Sequence, residues 1–92
     1  MNTLKDIEYS REHTKDSLWE LYRIWATDDD YYDLCEMIKR RIDCTLVQVE
    51  AQYGGIQETY RVLFRGSVIY AVWNPRLQII KTVLGEINIW KR

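Results

Sequence analysis

The residues best equipped for chemistry in this chain are four cations in one stretch, YRVLFRGSVIYAVWNPRLQIIKTVL at 60–84: Arg61, Arg65, Arg76 and Lys81. Guanidinium and ammonium groups recognise phosphates and acidic protein surfaces. Three uses are therefore open to them: cutting a nucleic acid, holding one, or gripping another protein. Cutting also needs a general acid or base whose pKa lies near neutrality, and the one histidine is His13, close to Tyr9, Arg11 and Glu12. The sequence holds no Ser-His-Asp grouping, glycine-rich phosphate loop or paired-histidine metal spacing. Asp28, Asp29 and Asp30 are adjacent at a helix start, where side chains diverge instead of converging on one ion. Cys35 and Cys44 have no second pair and no histidine beside them for zinc, and read as reduced thiols acting as small apolar residues. No catalytic residue, metal or cofactor is implied, and no small-molecule substrate is expected.

Ninety-two residues, 47% of them apolar and 13% aromatic, are enough for a single domain, 1–92, with one modest core. The net charge of −1 excludes a protein that binds nucleic acid through bulk positive charge, so any such contact is local. The charge is nevertheless polarised. Residues 1–52 carry 7 Lys or Arg against 12 Asp or Glu, a balance of −5, and residues 53–92 carry 6 against 2, a balance of +4. Either acidic solvated helices precede a sheet whose edges carry protective cations, or the basic half faces a polyanion or an acidic protein. The N-terminus has no apolar signal region, and no segment reaches the roughly 18 apolar residues of a membrane span. A cytoplasmic location and no membrane partner follow as expectations.

The elements that must position these residues change character midway. Thr3 and Asp6 form a loose capping pair, Ser10 is a second plausible N-cap, and Thr14, Leu18, Leu21, Tyr22 and Trp25 recur at helical spacing. Trp19 and Ile24 fall off that stripe. ATDDD breaks the pattern and predicts a second helix from Asp29 or Asp30, with Tyr31, Leu34, Cys35, Ile38 and Ile42 inward and Lys39, Arg40 and Arg41 in its last turn. From Thr45 the period becomes two. Val47, Val49 and Ala51 share one face of a first strand, and Tyr53-Gly54-Gly55 supplies a turn. Tyr60, Val62 and Phe64 then alternate with Arg61, Leu63 and Arg65, which places Arg61 and Arg65 on the same side. Gly66-Ser67 is a hairpin turn, Val68–Trp73 a third strand, and Asn74-Pro75-Arg76-Leu77 a turn. Gln78–Leu84 is a fourth strand, with Ile79, Lys81 and Val83 on one face and Ile80 and Thr82 on the other. Gly85 breaks it, and EINIWKR adds an edge strand or docks on a helix. The expected fold is α+β: two helices, then an antiparallel meander of three to five strands with the helices on one face.

Two helices followed by RVLFRGSVIYAVWNPRLQIIKTVL as a hairpin-linked meander resemble the RelE-type toxins and their barnase-like sheet, over about residues 10–84. The resemblance implies metal-independent RNA cleavage, with Arg61, Arg65 and Lys81 as cations and His13 as the only histidine available. By type, a small domain free of catalytic motifs and rich in Trp and Tyr is similar to phage inhibitors of host defences, including anti-CRISPR proteins. That likeness implies an inhibitor of phage or mobile-element type that occludes a host nucleoprotein complex. Arg61, Arg65, Arg76 and Lys81 would contact acidic protein or RNA phosphate, and aromatic anchors would come from Trp19, Trp73, Trp90, Tyr31 and Tyr32. The slight acidity of the chain favours the inhibitor over the ribonuclease, with an antitoxin or immunity-type protein as a further alternative. For the inhibitor reading, one or two tryptophans must be exposed instead of buried.

Overall fold

The computed structural model describes residues 3–52 and 55–85. Helices α1 (Thr3–Tyr22) and α2 (Asp28–Arg40) precede strands β1 (Cys44–Gln52), β2 (Gly55–Phe64), β3 (Ser67–Asn74) and β4 (Ile79–Leu84). The strands form one antiparallel sheet in the order β1-β2-β3-β4, the α+β meander expected from the sequence. Trp90 and the rest of EINIWKR lie outside the described residues, as do Tyr53 and Gly54 of the predicted turn.

Helix α1 is continuous from Thr3, and Ser10 is buried within it instead of capping a second start. It closes after Tyr22, where Arg23 turns left-handed at φ 57°. There the Arg23 N–H reaches Trp19 O at 3.0 Å, the ordinary four-residue span, and the Ile24 N–H reaches back six residues to Leu18 O at 3.1 Å, which satisfies carbonyls left free at the helix end. Helix α2 starts one residue earlier than predicted because Thr27 is its N-cap. The Thr27 hydroxyl accepts the Asp30 N–H at 3.2 Å and the Asp30 carboxylate accepts the Thr27 N–H at 2.8 Å, a reciprocal capping box with aspartate in the third position.

The core lies between the helices and the inner sheet face. Leu18 of α1 and Tyr31, Leu34 and Ile38 of α2 pack with Tyr60, Val62, Ile69, Ala71, Trp73 and Ile80. The predicted inward stripe of α2 holds except at its end, where Ile42 is exposed beyond the helix. In β2, Tyr60, Val62 and Phe64 are buried and Arg61 and Leu63 exposed, as the alternation requires. The outer face is not bare: Thr59, Tyr70, Val72 and Ile79 on it are also buried.

Two register shifts correct the predicted faces. In β1 the shift between Leu46 and Gln48 makes Val47 a bulge residue, so Leu46 joins the parity of Val49 and Ala51. In β4, Thr82 opposes Val72 while Ile80 opposes Trp73. Lys81 is therefore an extra residue, and Ile80 and Val83 face the core together. A bulge adds one residue to one strand and reverses the alternation beyond it.

The two sheet edges are treated differently: β4 carries one cation, Lys81, and β1 none. Hydroxyls from the helices cover β4. Ile80 O accepts from Tyr31 at 2.7 Å and from Thr14 at 3.5 Å. The Tyr22 hydroxyl donates to Leu84 O and accepts the Tyr70 N–H at 3.2 Å. It thus bridges β3 and β4 beside the Tyr70–Leu84 pair. Strand β1 is the opposite edge, paired only to β2, with Leu46, Val47 and Val49 exposed.

Candidate functional site

The closure of α1 sets the geometry of the most exposed aromatic feature. Because the chain turns left-handed at Arg23, Trp25 does not continue the buried stripe on which sequence spacing puts it. Its side chain is 74% exposed, beside Trp19 at 43%. The two rings meet edge to face, with centroids 5.6 Å apart and planes at 83°. The Arg23 guanidinium lies over Trp19, 5.5 Å from the ring centroid, a cation–π arrangement. A shallow notch of about 180 Å³ is lined by both tryptophans with Glu12, Lys15, Asp16 and Ala26.

Charges from both helices brace this corner. Lys15 Nζ lies 2.5 Å from Asp28 Oδ1 and 3.1 Å from Glu12 Oε2, and Arg11 Nε lies 3.4 Å from Asp28 Oδ1. The Lys15 ammonium holds the Asp28 carboxyl below its ordinary range, and Arg11 does the same for Glu12. Arg65 closes the other side. Its guanidinium donates to the Asp30 carboxylate and, at 3.4 Å, to the Trp25 carbonyl. Two of the three consecutive aspartates are thus engaged in internal contacts, with Asp29 outside them among the described ion pairs.

The cations singled out in the sequence do not form one surface. Arg65 sits in the β2–β3 turn at φ 51°, followed by Gly66 at φ 77°, the paired positive angles that suit a two-residue hairpin. Strand β2 ends at Phe64, so Arg65 escapes the alternation and turns toward α2 instead of sharing a side with Arg61. Arg61 is exposed on the outer face, in register with Thr45 and Tyr70. Arg76 and Lys81 line a cleft with His13. Trp73 is 2% exposed and belongs to the core, so its indole presents no surface in this fold. Tyr31 is buried, whereas Tyr32 is exposed and accepts from Arg11 Nη1 at 3.2 Å.

The buried titratable groups are tuned away from neutrality. Burial, together with the hydrogen bond to Glu58, pushes the Tyr60 hydroxyl up to about 12, so it remains protonated near pH 7. Burial also raises the Cys35 and Cys44 thiols, which keeps them out of the reactive thiolate form. Among the described residues no group of side chains could hold a metal ion, and no helix is long and apolar enough to cross a membrane.

Trp25 and Arg23 are the surface residues that sequence spacing missed. The available signal was Thr27-x-x-Asp30, which as a capping box would have moved the α2 start upstream and left Trp25 in a short connection. No family model matches the chain, and no curated protein or solved structure matches it.

Proposed function

We propose that this chain is a stoichiometric binding protein that occludes a surface of a nucleic-acid-handling complex, with Trp19, Trp25 and Arg23 as its anchors. The observation that carries the reading is the exposure of Trp25, 74%, on a corner fixed by a helix closure, a cation–π contact and the Arg65 bridge. Tryptophan and arginine dominate interface hot spots, and a preordered aromatic loses little conformational entropy on docking. Asp16, exposed beside the notch, suits a basic surface of the kind that binds nucleic acid, and exposed Arg61 offers a separate contact for phosphate or acidic protein.

The test is a pull-down of the tagged protein from a host lysate, with and without nuclease treatment, run beside the Trp19→Ala, Trp25→Ala double variant. Near-stoichiometric recovery of one nucleic-acid-handling complex by the wild type, abolished in the variant, supports the reading. Recovery of no protein above background, or equal recovery by both proteins, contradicts it.

A further inference from the structure

A second site lies away from the tryptophan notch and shares no lining residue with it. It is a cleft of about 500 Å³ between the N-terminal half of α1, the 74–77 turn and β4, within the size range of small-ligand sites, about 300–1,000 Å³. Helix α1 contributes Asp6, Tyr9, Ser10 and His13, which recur on one face at helical spacing. Arg76 and Lys81 face them.

Two local devices bring these cations together. The Asn74 side chain accepts the N–H of Arg76 at 2.9 Å and of Leu77 at 3.0 Å, fixing the turn from which Arg76 projects. The β4 register shift makes Lys81 the extra residue, and bulges re-aim the side chain they carry. Arg11, Lys15, Lys39, Arg40 and Arg65 all pair with carboxylates, whereas neither Arg76 nor Lys81 has such a partner among the described residues. Beside them Tyr9, 71% exposed, stacks on His13 with centroids 5.8 Å apart and planes 3° from parallel. The pair forms an aromatic ledge next to two cations and one carboxylate.

Each part has a matching ligand group. Cations that pair with no carboxylate among the described residues favour phosphate, and an exposed aromatic plane stacks a base. The Asp6 carboxylate repels a bare anion but accepts hydrogen bonds from ribose hydroxyls or an exocyclic amine. We propose that this cleft binds a nucleoside phosphate, free or at the end of a single strand, with phosphate on Arg76 and Lys81 and the base on Tyr9.

The experiment is a calorimetric titration of the full chain with AMP, adenosine, inorganic phosphate and a 5′-phosphorylated tetra-adenylate RNA. The expected result is saturable AMP binding, with adenosine and phosphate each at least about tenfold weaker. The Arg76→Gln, Lys81→Gln double variant should lose at least about tenfold in affinity for AMP, and Tyr9→Ala a similar factor, the scale of one stacked base. Tyr9 is exposed, so that variant tests the site without disturbing the core. Tighter binding of the tetranucleotide than of AMP identifies a strand end as the ligand, and equal binding identifies the free nucleotide. The proposal is overturned by the absence of saturable binding of both AMP and the tetranucleotide, by phosphate binding as tightly as AMP, or by affinity that survives the variants unchanged.

Discussion

Arg65, in the β2–β3 turn, donates a charge-assisted hydrogen bond to Asp30 in the first turn of α2. The same guanidinium reaches the carbonyl of Trp25. A cation that alternation assigns to the sheet surface therefore joins the hairpin to the connection carrying the exposed tryptophan.

Replacing Arg65 tests that assignment. Arg65→Ala is expected to cost about 1 kcal/mol, the upper end of the range for exposed ion pairs, since the guanidinium is half exposed but the Asp30 carboxylate mostly covered, measured as a lower urea midpoint at unchanged slope. Arg61→Ala should leave the midpoint unchanged and, if Arg61 contacts the partner, reduce the salt dependence of binding.

The capping box carries a pH dependence. The Thr27 N–H, then the Thr27 hydroxyl and Arg65, hold the Asp30 carboxyl below its ordinary value. A depressed folded-state pKa contributes stability that is fully present above the unfolded value, about 3.9, and is lost as pH falls through the folded value. Asp30→Asn should flatten this part of the acid limb in denaturation curves taken below about pH 5. Thr27→Ala should cost about 1 kcal/mol at pH 7.

The Tyr22 hydroxyl is placed to be more costly to remove. Tyr22→Phe leaves the Tyr70 N–H without this acceptor and Leu84 O without this donor, at a site away from full solvent exposure. A loss of about 1–3 kcal/mol is expected, with faster amide exchange at Tyr70. Unchanged exchange there would mean that the hydroxyl does not secure the β3–β4 end.

The tryptophans should separate cleanly. Trp73→Ala opens a hole in the core and should cost about 3–5 kcal/mol, a large part of what holds a small domain folded. Trp25→Ala should change stability by no more than about 0.5 kcal/mol. Thermal unfolding followed by circular dichroism distinguishes the two.

Where periodicity runs uninterrupted, the fold is legible in the sequence: the α2 stripe from Tyr31 to Ile38 and the inward Tyr60-Val62-Phe64 match the structure, whereas the hairpin turn read at Gly66-Ser67 lies one residue earlier, at Arg65-Gly66, with Ser67 paired to Phe64 in β3. It fails where a single backbone angle or an extra residue resets the pattern. Arg23 turns left-handed without the glycine that usually marks such a closure, so Trp25 looks like the next buried position. Val47 and Lys81 enter bulges that leave no compositional trace, so the faces beyond them are misassigned. Arg65 takes a positive φ in a turn whose sequence marker is its neighbour, Gly66. The candidate surfaces depend on these same positions, and for that reason the cations are legible as residues but not as a site.

The most direct test of the tryptophan corner is the dissociation constant of the recovered complex for the wild type and for Trp25→Ala, measured by biolayer interferometry at one salt concentration. A hot-spot tryptophan predicts a loss of about 2 kcal/mol or more, roughly thirtyfold in affinity, with folding intact. Affinity within about twofold of wild type would show that the exposed corner is not where the partner docks.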